Sequence, residues 1–133
     1  MSRSYNFDSA GGINYEVDVT KPAGGRINIL SLPDGSSFDM DEYYTVAMTS
    51  YRANGGGGLL KDGAGLDSET VNARIVARYP EIRELLYDYI LEHKEINSEL
   101  ISDPQVIGSW KFVPETLAAK ALSEDIALLF GNR

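Results

Sequence analysis

Thr49-Ser50-Tyr51-Arg52-Ala53-Asn54-Gly55-Gly56-Gly57-Gly58-Leu59-Leu60 is the stretch around which the rest of the chain is read. It follows Tyr43-Tyr44-Thr45-Val46-Ala47-Met48, whose aromatic and β-branched content predicts a strand over Tyr43–Ser50. Strands do not accommodate four successive glycines, because each forfeits side-chain packing and costs backbone entropy on ordering. A run of this kind at a strand end lets the backbone turn sharply, or lets another group come close to it. Taken alone it reads equally well as a flexible connection. The Tyr51-Arg52-x-Asn54 before it adds a π surface, a guanidinium and an amide beside bare backbone. That set suits a planar, polar ligand.

Working upstream, Ile13, Tyr15, Val17 and Val19 alternate with Asn14, Glu16, Asp18 and Thr20, the period of a strand with one buried face. Lys21-Pro22-Ala23-Gly24-Gly25 predicts a turn, and Arg26-Ile27-Asn28-Ile29-Leu30-Ser31-Leu32 the returning strand of a hairpin. Downstream, Leu60–Leu66 reads as loop, and Asp67 or Ser68 caps a helix whose narrow apolar face is Val71, Ile75 and Val76. Pro80 opens a longer helix in which Ile82, Leu85, Leu86, Tyr89 and Ile90 keep helical spacing. Residues 96–108 are irregular or weakly helical, Trp110-Lys111-Phe112-Val113 is a short strand, and Pro114 begins a last helix marked by Ala118, Leu122, Ile126 and Leu129. The order predicts a single α+β domain over residues 1–133. Its sheet is largely antiparallel, a hairpin plus further strands, and is covered on one side by about three helices.

At 133 residues, with 43% apolar and 24% charged side chains, the chain has the composition of an ordinary globular domain. A formal net charge of −8 argues against nucleic-acid polymers and anionic membrane surfaces. The absence of cysteine excludes disulfides, zinc–thiolate sites and thiol nucleophiles. No apolar run approaches membrane-spanning length, and no signal-peptide core is seen; Met1-Ser2-Arg3-Ser4 fits an excised fragment as well as a complete protein. The single histidine, His93, makes dinuclear metal chemistry within this chain improbable.

His93 falls near a helix C-terminus, where a solvated, dipole-favoured side chain is expected rather than a catalytic base. Asp39, Asp41 and Glu42 could be imagined as a metal cluster but lie in a turn-rich stretch without partner ligands. Trp110, Phe112, Tyr43 and Tyr44 are expected to serve packing. The glycine run lacks the Gly-Lys-Ser/Thr ending of a phosphate loop, and no βαβ unit surrounds it as a dinucleotide fingerprint requires. Tyr51 is different. At the end of the expected strand its ring can reach a ligand, and stacking on a nucleobase is worth about 1–3 kcal/mol. Arg52 could add a cation–π or hydrogen-bonded contact, and Asn54 could fix the loop or meet a polar edge.

Together, Tyr44-Thr45-Val46-Ala47-Met48-Thr49-Ser50-Tyr51-Arg52-Ala53-Asn54-Gly55-Gly56-Gly57 and the earlier Ala10-Gly11-Gly12-Ile13-Asn14-Tyr15-Glu16-Val17-Asp18 with Gly25-Arg26-Ile27 resemble the C-terminal domain of the 5′-nucleotidase family. That family includes UDP-sugar hydrolases and 2′,3′-cyclic-nucleotide phosphodiesterases. The resemblance is strong over about residues 5–66, and Trp110–Pro114 with Leu128-Leu129-Phe130-Gly131 look like a bacterial branch. It implies a division of labour: an N-terminal metallophosphatase domain holds two divalent metal ions and hydrolyses the phosphate ester, while the C-terminal domain grips the nucleoside between two aromatic rings. Tyr51 matches one ring; the second ring and the family's arginine contacts come from upstream of this chain. Arg52, Asn54, Gly55, Gly56 and Gly57 would complete the substrate-binding wall, with no catalytic or metal-binding residue in this chain.

The family often reads Gly-Gly-Asp-Gly where this chain has Gly55 to Gly58, so its nucleoside-contacting aspartate is replaced by Gly57, and altered specificity is expected. The resemblance also implies a periplasmic, cell-surface or secreted location. The alternative reading is a binding or assembly module whose glycine loop contacts a protein or carbohydrate.

Overall fold

In the computed structural model residues 7–97 and 103–131 are described. They form two units, one from residues 9–41 with 103–131 and the other from 7–8 with 42–97.

The first unit is built on strand β1, Asn14–Asp18. Its alternation buries Tyr15 and Val17, at 5% and 6% exposure, while Asn14, Glu16 and Asp18 stay partly wet. Strand β2, Ile27–Ser31, returns antiparallel to it, pairing Tyr15 with Ile29 and Val17 with Ile27. The connecting turn uses Gly24 at φ 89°, a conformation glycine adopts without steric cost. Asp18 steadies the turn by accepting from the Thr20 amide at 2.9 Å and the Thr20 hydroxyl at 2.6 Å, and these bonds hold its carboxyl below the usual range. The hairpin thus forms as its pattern dictates.

Strand β3, Trp110–Val113, lies on the other side of β1 and runs parallel to it, giving the order β2-β1-β3. The sheet is therefore mixed, with one antiparallel and one parallel pairing, where the hairpin pattern suggested a largely antiparallel one. A strand arriving from far along the chain is free to enter in either direction, unlike the second arm of a hairpin. Tyr15 faces Trp110 and Val17 faces Phe112 across this pairing. The Tyr15 and Trp110 rings stack at 5.7 Å, and Phe112 meets Trp110 edge-on at 5.1 Å. These aromatics serve packing.

Asn14 joins the three strands. Its amide nitrogen donates to the Ser31 hydroxyl at 2.9 Å and the Leu32 carbonyl at 3.0 Å, at the end of β2. Its oxygen accepts from the Ser109 amide at 2.8 Å and the Ser109 hydroxyl at 3.2 Å, just before β3. The chain reaches Ser109 through Gly108, at φ 69°, where a side chain would run into the Ile13 carbonyl. Helix α5, Glu115–Phe130, packs on β3, with Val19, Phe112, Ala118 and Leu122 lining a groove of about 310 Å³. Lys111 reaches Glu115 at 3.1 Å and Glu16 at 3.8 Å, and the bond to Glu115 together with both carboxylates raises its pKa.

In the second unit residues 43–49 adopt no regular structure, so the strand expected over Tyr43–Ser50 does not form. A β-prone sequence still needs a neighbour to satisfy its backbone. The places beside β1 are taken by β2 and β3, and Tyr43 and Val46 are 98% and 68% exposed. Instead, helix α1, Ser50–Ala53, begins at Thr49. Helix α2, Ser68–Ala73, is capped by Asp67, which accepts from the Thr70 amide at 2.8 Å. Helix α3, Ile82–His93, starts two residues after Pro80 and ends at Lys94, at φ 66°. Its apolar stripe is regular but not buried: Leu85, Leu86 and Ile90 are 43–48% exposed. Helix α4, Pro104–Ile107, falls in the first unit within the stretch read as weakly helical. The α+β class holds, and three of the five α-helices among the described residues are six residues or longer. Residues 98–102, part of that stretch, lie outside the described residues, as do Met1–Ser4.

Replacing Asn14 by Ala removes bonds to both neighbouring strands and should lower unfolding stability by about 1–3 kcal/mol in denaturant titration. Asn14→Asp, which keeps the acceptor for Ser109 but loses the donor, should fall between. Asp18, Asp34 and Asp67 all have carboxyls held below the ordinary 3.8, the first two chiefly by a neighbouring hydroxyl and Asp67 by the Thr70 amide. Their contribution is complete above that ordinary value and disappears as pH falls through the lower native ones. Melting temperature should therefore drop between pH 5 and pH 2, and Asp67→Asn, which still caps α2, should flatten part of that drop.

Candidate functional site

The glycine stretch owes its shape to the residues just before it. Thr49 is extended, at φ −67° and ψ 150°, and its hydroxyl accepts from the Arg52 amide at 3.4 Å, so it caps α1. The Ala53 and Asn54 amides donate to the Thr49 and Ser50 carbonyls at 3.0 and 2.9 Å, and Gly55 donates to Arg52 at 3.0 Å, closing the helix after one turn. Gly55, Gly57 and Gly58 then take φ of 90°, 75° and 71°. Three left-handed residues in four would strain any chain bearing β-carbons, so glycine is required there by conformation. Gly58 donates to the Gly55 carbonyl at 3.0 Å, and a π-helical turn, Leu59–Gly63, follows where loop was expected.

Gly56 is required for a different reason. The Tyr51 ring lies against it so closely that a β-carbon at Gly56 would stand 2.5 Å from the ring carbons Cε1 and Cζ. The clearance made by this glycine is thus used by the protein's own aromatic. Arg52 approaches the same ring, with its guanidinium carbon 5.4 Å from the ring centroid. Tyr51 remains 63% exposed. It sits on α1 and not at a strand end, so the structure keeps the exposed ring and changes what carries it.

Arg52 is the best-buried charged group here, with a side chain 14% exposed. One guanidinium nitrogen donates to the Gly56 carbonyl at 3.0 Å and another to the Asp8 carboxylate at 2.7 Å. The pair with Asp8 spans 44 residues of sequence and has no local signal; sequence reasoning missed it. It missed Asp62 as well, whose carboxylate lies against Gly58 so that a β-carbon there would collide with it. Tyr51, Arg52, Gly55, Gly56 and Gly57 are brought into one turn, and Asn54, exposed, ends α1.

The other candidates stay apart from this turn. His93 occupies the last turn of α3, stacked on Tyr89 at 4.0 Å, with Nδ1 donating to the Tyr89 carbonyl at 3.0 Å. Asp39 accepts from the Asp41 amide at 2.9 Å, a local turn. Among the described residues no three His, Cys, Asp or Glu side chains are grouped so as to hold a metal ion. No helix among the described residues is long and apolar enough to cross a membrane.

Residues 2–62 match the family model of the 5′-nucleotidase C-terminal domain. The trifunctional nucleotide phosphoesterase protein YfkN of Bacillus subtilis is 35% identical over 123 residues, covering 84% of this chain and 8% of that protein. A 2′,3′-cyclic-nucleotide 2′-phosphodiesterase/3′-nucleotidase of Haemophilus influenzae is 32% identical over 126 residues, covering 86% of this chain and 18% of that protein. The chain thus spans under a fifth of the length of either curated relative. No solved structure matches it. The Tyr51 turn lies inside the matched stretch, and over residues 2–62 the chain belongs to the 5′-nucleotidase C-terminal domain family, whose relatives here are bacterial nucleotide phosphoesterases.

Proposed function

We propose that this chain supplies a nucleoside-binding surface of a bacterial nucleotide phosphoesterase, with Tyr51 as the platform for the base. The carrying observation is the Tyr51 ring itself, held against Gly56 and beside Arg52 yet 63% open. An aromatic ring whose position is set by its own backbone loses little freedom when a flat ligand covers it. The Gly55–Gly58 turn shapes the wall beside the ring, and Asn54 is placed to meet a polar edge. With its guanidinium engaged by Asp8 and Gly56, Arg52 acts here as a support for the turn more than as a phosphate ligand.

Hydrolysis on this reading is the work of a separate metallophosphatase domain of the same protein, which would bring the metal ions and the second aromatic ring. The share of the relatives' length that this chain spans supports that division. A periplasmic or cell-surface setting accompanies the proposal. Gly57, in a left-handed conformation where the family often has aspartate, leaves the sugar without a carboxylate partner and relaxes nucleotide preference.

One stacked ring is worth about 1–3 kcal/mol, so the chain alone should bind adenosine with a dissociation constant above about 1 mM in an NMR titration. Tyr51→Ala should abolish the shift changes and Tyr51→Phe should retain them; equal binding by Tyr51→Ala refutes the platform. Gly56→Ala places a methyl where the ring lies, and should displace the Tyr51 ring resonances and weaken adenosine binding while Trp110 fluorescence stays unchanged.

A further inference from the structure

Asp8 stands 44 residues upstream of the turn, and its carboxylate meets the Arg52 guanidinium at 2.7 Å. The same guanidinium donates to the Gly56 carbonyl at 3.0 Å and lies 5.4 Å from the Tyr51 ring centroid. A guanidinium is a rigid planar fork, so fixing one nitrogen constrains the direction of the other. The carboxylate of Asp8 therefore bears on where the Gly56 carbonyl is held, and Gly56 is the residue against which Tyr51 lies.

We propose that Asp8 is a positioning residue of this site, whose ion pair with Arg52 latches the glycine turn and through it sets the Tyr51 ring in the conformation that receives a base. The proposal rests on the reading of Tyr51 as base platform. Asp8 acts through Arg52. When the carboxylate is neutralised, a guanidinium only 14% exposed loses its charged partner and gains freedom to swing toward water. The Gly56 carbonyl and the ring then lose a shared support. A glutamate at this position keeps the charge and, with one more methylene, can still reach the guanidinium.

The test compares the wild-type chain with Asp8→Asn and Asp8→Glu by two readouts. The first needs no ligand: amide hydrogen exchange at Gly58, whose N–H donates to Gly55 at 3.0 Å within the turn. The second is NMR titration with adenosine. Asp8→Asn should speed Gly58 exchange and weaken adenosine binding, each by about two- to fivefold, the range of a partly exposed ion pair. Amides of Asn14 to Asp18, in the sheet, should exchange as in wild type, and Asp8→Glu should restore most of both losses. Unchanged Gly58 exchange in Asp8→Asn overturns the latch. Faster exchange with unchanged adenosine affinity overturns the link from latch to ring. Should the wild type bind no adenosine while Asp8→Asn still exchanges faster, the base-platform reading has failed and the turn-setting role of Asp8 stands.

Discussion

Four glycines in a row form the constraint on which the site depends, and they are not interchangeable. Gly55, Gly57 and Gly58 are held at positive φ, so their conformation excludes other residues at little steric cost to themselves. Gly56 is excluded from substitution by the Tyr51 ring that covers it. The usual account of a glycine run, that it is loose, does not apply to a turn in which Gly55, Gly56 and Gly58 each take part in a hydrogen bond of the turn. Entropy lost in ordering this backbone is offset by the Arg52 bond to Gly56, the Gly58 bond to Gly55 and the ring packed across the turn. Tyr51 is placed by the backbone, and the backbone by Arg52.

The sheet obeys a different constraint. β1 carries both residues that are buried among those described, and Asn14 at its start uses its amide on β2 and its oxygen on the approach to β3. A single carboxamide with complementary donor and acceptor ends thereby aligns two strands that share no contact with one another in the sheet order. The aromatic trio Tyr15, Trp110 and Phe112 fills the face that this alignment creates.

Much of the fold is legible in the sequence, for reasons that differ by element. The β1–β2 hairpin and β3 follow from strict alternation, and α3 and α5 from helical spacing, because these patterns reflect local geometry. The Tyr43–Ser50 expectation failed because strand propensity measures fit to a neighbour, and among the described residues no strand pairs with this segment. The parallel direction of β3 was hidden for the same reason: pairing between Tyr15 and Trp110 leaves no local trace. At the site, Tyr51, Arg52 and the glycines stood out by type and spacing, and the structure brings them into one turn. Asp8 did not, since one carboxylate in a loop is indistinguishable from any other until its partner 44 residues away is known. The α3 stripe was legible as amphipathic, yet its spacing could not say that Leu85, Leu86 and Ile90 would stay half exposed.

The route of the chain between its strands bears on how the protein comes into being. β1 and β2 are neighbours in sequence, but β1 waits for β3 until everything from Leu32 to Ser109 has been made. Closing so long a connection is entropically slow relative to closing the hairpin. During synthesis the hairpin therefore emerges before β3, with one flank of Tyr15 and Val17 uncovered, and the glycine turn follows it before the sheet can close. Completion of the sheet falls to a segment made long after the hairpin. A chain stopped short of Trp110 would carry every residue of the site and still lack the strand that covers its only buried side chains among those described.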